Sequence, residues 1–166
     1  YAIAASPARY MIERGDWKGA AQLQVRTSKF AHAEAMTHFA RALGAARSGT
    51  LDAAKADIAK LAALRDKLRE AKDAYWSEQV DIQWQVATAW VLHAEGRYGD
   101  ALKAMNAAAD AEDKTEKASV TPGVPTPAPE LYGAMLLERG MAREALVAFE
   151  ATKRFGGDTA KDVPIP

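Results

Sequence analysis

Apolar residues between positions 51 and 75 recur in steps of three and four. They are Leu51, Ala54, Ile58, Leu61, Leu64, Leu68, Ala71 and Tyr75. Such steps keep one side of a helix with 3.6 residues per turn apolar, so the pattern predicts a long amphipathic helix. The other side carries charges of both signs, from Asp57 to Lys72, and we interpret it as a solvated surface.

Four glycines each follow a helical run, at the place where a left-handed residue commonly ends a helix. They are Gly15, Gly49, Gly96 and Gly140. Near the start, Ser6 and Pro7 have the residue types of an N-cap and a first helical position. Alanine, the strongest helix former, occupies 38 of the 166 positions. We therefore predict an all-α fold in which helices alternate with tight turns.

Two segments fall outside the helical pattern. Positions 115–129 contain four of the seven prolines, which predicts a Pro-rich loop. Positions 156–166 have no apolar period, which predicts a C-terminal tail. The remaining length fits one helical domain, which we place at 1–155. Because the chain begins with Tyr1 and not with Met, we expect it to be a piece of a longer protein or a processed form.

Alignment of the chain on its four turn glycines reveals a repeat. Two antiparallel helices can approach closely only where both side chains are small, and small residues lie seven positions before and five positions after each glycine. A single helical pair cannot bury its apolar face alone, so we expect the four pairs to stack. The small residues are Ala8 and Ala20, Ala42 and Ala54, Ala89 and Ala101, and Gly133 and Ala145. The residues nine after each glycine, expected to pack towards the next pair, are Gln24, Ile58, Met105 and Phe149.

Each turn glycine also opens a similar motif. The motifs are 15–20, Gly-Asp-Trp-Lys-Gly-Ala; 49–54, Gly-Thr-Leu-Asp-Ala-Ala; 96–101, Gly-Arg-Tyr-Gly-Asp-Ala; and 140–145, Gly-Met-Ala-Arg-Glu-Ala. In these motifs the chain resembles the tetratricopeptide repeat family, from about position 5 to position 155. The resemblance implies a right-handed α-superhelix, or solenoid, of about four helix-turn-helix pairs. The glycines are 34, 47 and 44 residues apart, so only the first interval equals the family period, and we expect an irregular array.

The resemblance also implies a binding groove. In the family, the first helix of each pair lines the concave face, which is where an extended or helical peptide binds. Phe39 and Trp90 would be the apolar anchors, and Arg9 or Arg47 would bind a carboxylate. Alternatively, Phe39 and Trp90 pack against the preceding pair. The corresponding groove positions in this chain are Arg9, Glu13, Phe39, Leu43, Arg47, Val86, Trp90, His93, Glu130 and Glu138.

The composition excludes several classes of protein. Basic and acidic residues are equal in number, at 22 each, which argues against a general phosphate-backbone binder and so against a nucleic-acid partner. No apolar run approaches the roughly 18 residues that a membrane-spanning helix needs, so we expect no membrane insertion. The absence of cysteine removes disulfides, thiolate metal sites and cysteine nucleophiles.

One short cluster carries residues of a metal-binding type. Glu34 and His38, four residues apart, share a face of a predicted helix and could supply two ligands. His32 lies about 120° away around the axis, so a third ligand would have to come from elsewhere. A packing or capping role is the other interpretation. No acid, base and nucleophile are brought together by position, and we predict neither metal, cofactor nor enzymatic activity.

We therefore predict a non-catalytic scaffold that binds a protein or peptide partner. This function follows from the family resemblance and not from a recognisable ligand site. The alternative is a purely structural or oligomerisation segment, such as a homo-oligomer, without a ligand groove. An enzymatic role would rest on His32, Glu34 and His38 alone and would require a bound metal.

Overall fold

The computed structural model describes residues 2–115 and 126–156, and these residues form eight helices and no strand. Each helix packs against its neighbours along the chain, so the predicted all-α class is confirmed. The helices are α1 (Ala2–Glu13), α2 (Trp17–Ala21), α3 (Ala31–Arg47), α4 (Leu51–Glu70), α5 (Ala74–Ala94), α6 (Tyr98–Lys114), α7 (Ala128–Glu138) and α8 (Ala142–Gly156).

The four turn glycines end the odd-numbered helices, as predicted. Each has a positive φ, of 64°, 85°, 78° and 74° in chain order, which glycine adopts without steric cost. At Gly15 the glycine amide donates to the carbonyl of Ile12 at 3.0 Å, and the next amide, of Asp16, donates to Met11 at 3.0 Å. The other three turns repeat this pair of hydrogen bonds, which defines a Schellman motif. All four helical pairs are therefore joined by the same turn.

The small residues of the repeat are buried, as the alignment predicts. Seven of them are alanines, and all seven have no exposed surface. The eighth is Gly133, where an added Cβ would lie 2.7 Å from the ring of Phe149. These positions leave no room for a larger side chain, so they set how closely the helices approach.

The helices contact one another in a regular order. Consecutive helices pack together from α1 to α8, and in addition α1 contacts α3, α3 contacts α5, and α5 contacts α7. One buried apolar cluster runs through the first seven helices, and a smaller cluster holds α7 and α8 together. The first helix of each pair thus contacts the first helix of the next pair.

The long second interval of the repeat is taken up by two long helices. α4 has 20 residues and α5 has 21. They are joined at Lys72, a non-glycine residue with a φ of 57°, and Asp73 caps α5 by accepting a hydrogen bond from the amide of Trp76 at 3.2 Å. The interval of 47 residues from Gly49 to Gly96 is therefore filled by helix and not by a long loop.

The first pair departs from the predictions. Pro7 does not begin a helix but lies inside α1, where its missing amide removes a single hydrogen bond in the second turn. The second helix of this pair, α2, has five residues only, and positions 22–30 continue as an irregular segment. Gln24, expected to pack towards the next pair, lies on this segment and is exposed, so that expectation was wrong.

The predicted Pro-rich loop ends slightly earlier than expected. α6 extends to Lys114, and α7 begins at Ala128 with Pro129 in its first turn. The buried carboxylate of Glu112 accepts a hydrogen bond from the Ala128 amide at 2.5 Å, which satisfies a free donor at the start of α7. Residues 116–125 of the loop and 157–166 of the tail lie outside the described residues.

Replacing Ala101 by Leu tests the close helix crossing. Ala101 is fully buried in α6, and the extra volume would force the two helices apart. We expect a loss of about 1 to 3 kcal/mol in the free energy of unfolding, measured by urea denaturation. Ala107→Leu, at an exposed position of the same helix, is the control and should change stability little. Equal stability of the two variants would contradict a size limit at the crossing.

Candidate functional site

The predicted groove residues separate into a buried and an exposed set. The apolar ones, Phe39, Leu43, Val86 and Trp90, all belong to the main core cluster, and Trp90 is only 2% exposed. As the chain is folded, they are not presented to a partner, and the expectation of apolar anchors on a surface is corrected. The polar residues Arg9, Glu13, Glu130 and Glu138 are exposed, and Arg47 and His93 are half-buried.

The burial of these anchors follows from the surroundings of α3. This helix contacts α1, α2, α4 and α5, and neighbouring helices enclose the side chains of Phe39 and Leu43. Gly44, near the end of α3, packs directly on the backbone of α2, since an added Cβ would clash with the carbonyl oxygen of Trp17. The first groove pair, Arg9 and Glu13, forms an ion pair within α1 at 3.8 Å.

Other predicted groove residues come together where α3, α5 and α7 end. The guanidinium of Arg47 lies between two indole rings, 4.2 Å from the ring centre of Trp17 and 4.0 Å from that of Trp90. Arg47 also forms an ion pair with Glu138, at the end of α7. His93 packs edge-to-face on Trp90, with the ring centres 5.3 Å apart. We call these five residues the arginine–tryptophan cluster.

The arginine–tryptophan cluster has unused hydrogen-bonding capacity. Nε of Arg47, Nε1 of Trp90 and Nε2 of His93 are enclosed, and none has a hydrogen-bond partner among the described residues. Most buried polar atoms in folded proteins are paired, so three unpaired nitrogens in one place are unusual. Two of them are obligate donors, so the partner that they lack is an acceptor such as a carboxylate oxygen.

Burial lowers the pKa of His93 and favours its neutral form. The carboxylate of Glu138 acts in the opposite direction and raises this pKa, whereas the nearby cations Arg139 and Arg47 lower it further. Because these influences together lower the pKa of His93, its neutral form is favoured. The ion pair of the cluster is therefore the one between Arg47 and Glu138.

A second group of ionisable residues lies between α3 and α4, with His38 and Asp57 buried and Arg41 half-buried. His38 Nδ1 lies 2.7 Å from Oδ1 of Asp57, and Arg41 Nε donates to both oxygens of Asp57 at 3.1 Å. Arg41 Nη1 donates to the carbonyl oxygen of Leu23 at 2.8 Å. Asp57 is 5% exposed, so its interpretation as part of a solvated surface was wrong. We call His38, Arg41 and Asp57 the buried ionic network.

The sequence contains a signal that Asp57 is buried. Position 57 is three residues after Ala54 and four before Leu61, so it lies on the same side of α4 as the buried residues Ala54, Leu61 and Leu68. The apolar neighbour Ile58 fits the same periodicity nearly as well and is in fact less buried. Periodicity alone could not distinguish the two.

The two histidines of the suggested metal cluster contact different residues. His38 is bound to Asp57 and lies 3.9 Å from a carboxylate oxygen of Glu34, while His32 stacks on Trp76 with the ring centres 4.1 Å apart. Burial lowers the pKa of His32, and the nearby Asp73 partly offsets this. Within residues 2–115 and 126–156, no group of three or more His, Asp and Glu side chains is arranged to hold a metal ion.

Comparisons with sequence profiles of known protein families, with curated proteins and with solved structures find no significant match for this chain. In the part of the chain that the structure describes, no helix combines the length and apolar character needed to span a membrane.

Replacing Asp57 by Asn tests the buried ionic network. The substitution keeps the shape of the side chain but removes the charge that balances Arg41, at a position that is only 5% exposed. Breaking a buried pair in this way typically costs about 3 to 5 kcal/mol, and we expect a loss of this size in urea denaturation. Asp52→Asn, in the exposed first turn of the same helix, should cost less than about 1 kcal/mol. Similar losses of stability in both variants would show that the charge of Asp57 contributes no more than that of an exposed aspartate.

The lowered pKa of His93 predicts a pH dependence of stability. The unfolded chain binds the imidazole proton near its ordinary pKa of about 6.5, while the folded protein binds it only at lower pH. The unfolded state therefore takes up more protons as pH falls through this range, and stability decreases. As the pH falls from about 7.5 to about 5.5, we expect His93→Gln to lose less stability than the wild-type protein, because the variant lacks one titrating group. Some loss should remain in both proteins, because the pKa of His32 is also lowered. Parallel stability curves for the two proteins would refute this role of His93.

Proposed function

We propose that the chain is a non-catalytic scaffold that binds a protein partner, built from four divergent repeats of the tetratricopeptide type. In this proposal the four pairs stack into a right-handed superhelix. The identical Schellman turns, the small residues at the crossings and the succession of contacts from α1 to α3, α5 and α7 support it. The first pair keeps the family's interval of 34 residues, although its second helix has only five residues.

The observation that carries the proposal is the arginine–tryptophan cluster. Four of the ten predicted groove residues, Arg47, Trp90, His93 and Glu138, meet there although they come from three helices. The enclosed nitrogens without partners give this place a capacity to bind that ordinary core packing does not need. The partner bound there would present a carboxylate.

In the free protein, Glu138 supplies the carboxylate that Arg47 binds. A partner carboxylate would have to displace Glu138, whose side chain is 39% exposed and can move into solvent. Displacement keeps the charge of Arg47 compensated throughout, so binding does not leave a buried cation unpaired. Glu138 therefore acts as an internal competitor of the partner in this proposal.

A purely structural role is the second candidate. The burial of the predicted anchors favours it, and so does the exposure of apolar residues on α7 and α8. Leu137, Leu146 and Val147 are 51%, 59% and 68% exposed. A further repeat or a second copy of the chain would cover such residues.

Two charge-removing variants test the scaffold proposal. The immobilised protein is first used to isolate partners from an extract of the source organism, and one partner identified by mass spectrometry is then titrated. We expect Glu138→Gln to bind it about tenfold more tightly, because the internal competitor no longer carries a charge. We expect Arg47→Gln to bind it at least about tenfold more weakly.

Glu150→Gln, exposed on α8, is the matched control for Glu138→Gln and should leave the affinity unchanged. Thermal melts of all variants separate a loss of binding from a loss of folding, since Arg47 also packs between two indoles. A partner whose affinity responds to neither substitution would refute the carboxylate site. Failure to isolate any partner, together with concentration-dependent assembly that Val147→Lys abolishes, would favour the structural role.

A further inference from the structure

A cleft lies between α1, the irregular segment 22–30 and α3, away from the arginine–tryptophan cluster. Its volume is about 680 Å³, within the range of clefts that bind small molecules. The lining combines four apolar side chains with five polar ones, so it offers both an apolar surface and groups that can bind a polar end. The lining residues are Ala4, Pro7, Leu23, Gln24, Arg26, Thr27, Ser28, Ala33 and Thr37.

The irregular wall of the cleft is held in place by α3. Arg41 donates to the carbonyl oxygen of Leu23 at 2.8 Å, and Glu34 accepts a hydrogen bond from the amide of Ser28 at 3.2 Å. Arg41 is itself fixed by Asp57 within the buried ionic network. A wall fixed at both ends loses little entropy when a ligand binds, which favours binding.

Two polar side chains of the lining come from different walls of the cleft. Thr37, on α3, is 8% exposed and lines the cleft. Arg26, an exposed residue of the irregular segment, lines the cleft on the opposite wall, and none of the ion pairs found within residues 2–115 and 126–156 involves it. A guanidinium without a counter-ion beside apolar surface is complementary to an anion with an apolar body.

We propose that this cleft binds a small carboxylic acid with an apolar body. The carboxylate pairs with Arg26, whose planar fork of donors matches two carboxylate oxygens. The apolar body lies on Ala4, Pro7 and Leu23, and a ligand oxygen hydrogen-bonds to the hydroxyl of Thr37. This site shares no residue with the arginine–tryptophan cluster, so it stands or falls independently of the partner-binding proposal.

Octanoate is the probe that tests this inference, with octylamine and octanol as probes of the same apolar body and different charge. Each is titrated into ¹⁵N-labelled protein, and amide chemical shifts are followed by NMR. We expect octanoate to shift the amides of residues 23–28, Ala33 and Thr37 in a saturable way, at least about tenfold more tightly than octylamine. Octanol should bind more weakly than octanoate at the same amides.

Arg26→Gln should weaken octanoate binding about tenfold and leave octanol binding unchanged. Lys29→Gln is the matched control, because it removes one positive charge from the same segment but not from the cleft lining, and it should leave octanoate binding intact. Thr37→Val keeps the shape of the side chain and should weaken octanoate binding severalfold. All variants should keep the wild-type spectrum outside the cleft.

Several results would overturn the inference. They are the absence of saturable shifts around the cleft with octanoate, equal binding of octanoate and octylamine, and equal effects of Arg26→Gln and Lys29→Gln. Binding of an acidic peptide at these amides in a protein that does not bind octanoate would assign the cleft to a protein partner instead.

Discussion

The close approach of the two helices in each pair is the constraint on which the rest of this structure depends. Alanine or glycine at each crossing brings two backbones together, and the Schellman turn at the adjoining glycine fixes the direction in which the second helix returns. With the pair fixed in this way, larger side chains such as Met105 and Leu61 are fully buried in the core. Because the core is close-packed, the position of each pair then determines that of the next.

How far the sequence predicts this structure depends on the kind of signal. The turns and crossings were predictable because each requires one residue type, glycine for a positive φ and alanine for a close contact. The short α2 was not, because positions 22–30 contain no breaker, and the helix ends where side chains of α3 bind the backbone of the segment. The burial of Phe39 and Trp90 was also not predictable, because periodicity identifies an apolar face without saying whether a helix or a ligand covers it. Asp57 was missed for the related reason that its charge suggested solvent.

The interruption of the first pair and the buried ionic network belong together physically. Where α2 stops, the backbone of the following segment needs partners other than its own helix, and Arg41 supplies one of them. A cation in that position must be compensated, which Asp57 does from α4, and His38 occupies the remaining side of the carboxylate. The buried charges are thus a consequence of the irregular segment, and the cleft beside α1 exists because this segment is held away from a helical path.

Arg47 is subject to two opposing requirements. Its contacts with Trp17 and Trp90 join three helices, and cation–π contacts of a partly desolvated arginine stabilise such a junction by about 1 to 2 kcal/mol. An enclosed guanidinium nitrogen without a partner acts against this, since an unsatisfied buried donor costs a comparable amount. An apolar residue would avoid that cost while keeping the packing. Among the described residues, Arg47 forms its ion pair with the half-exposed Glu138, and a group that exchanges one carboxylate for another needs such an accessible partner.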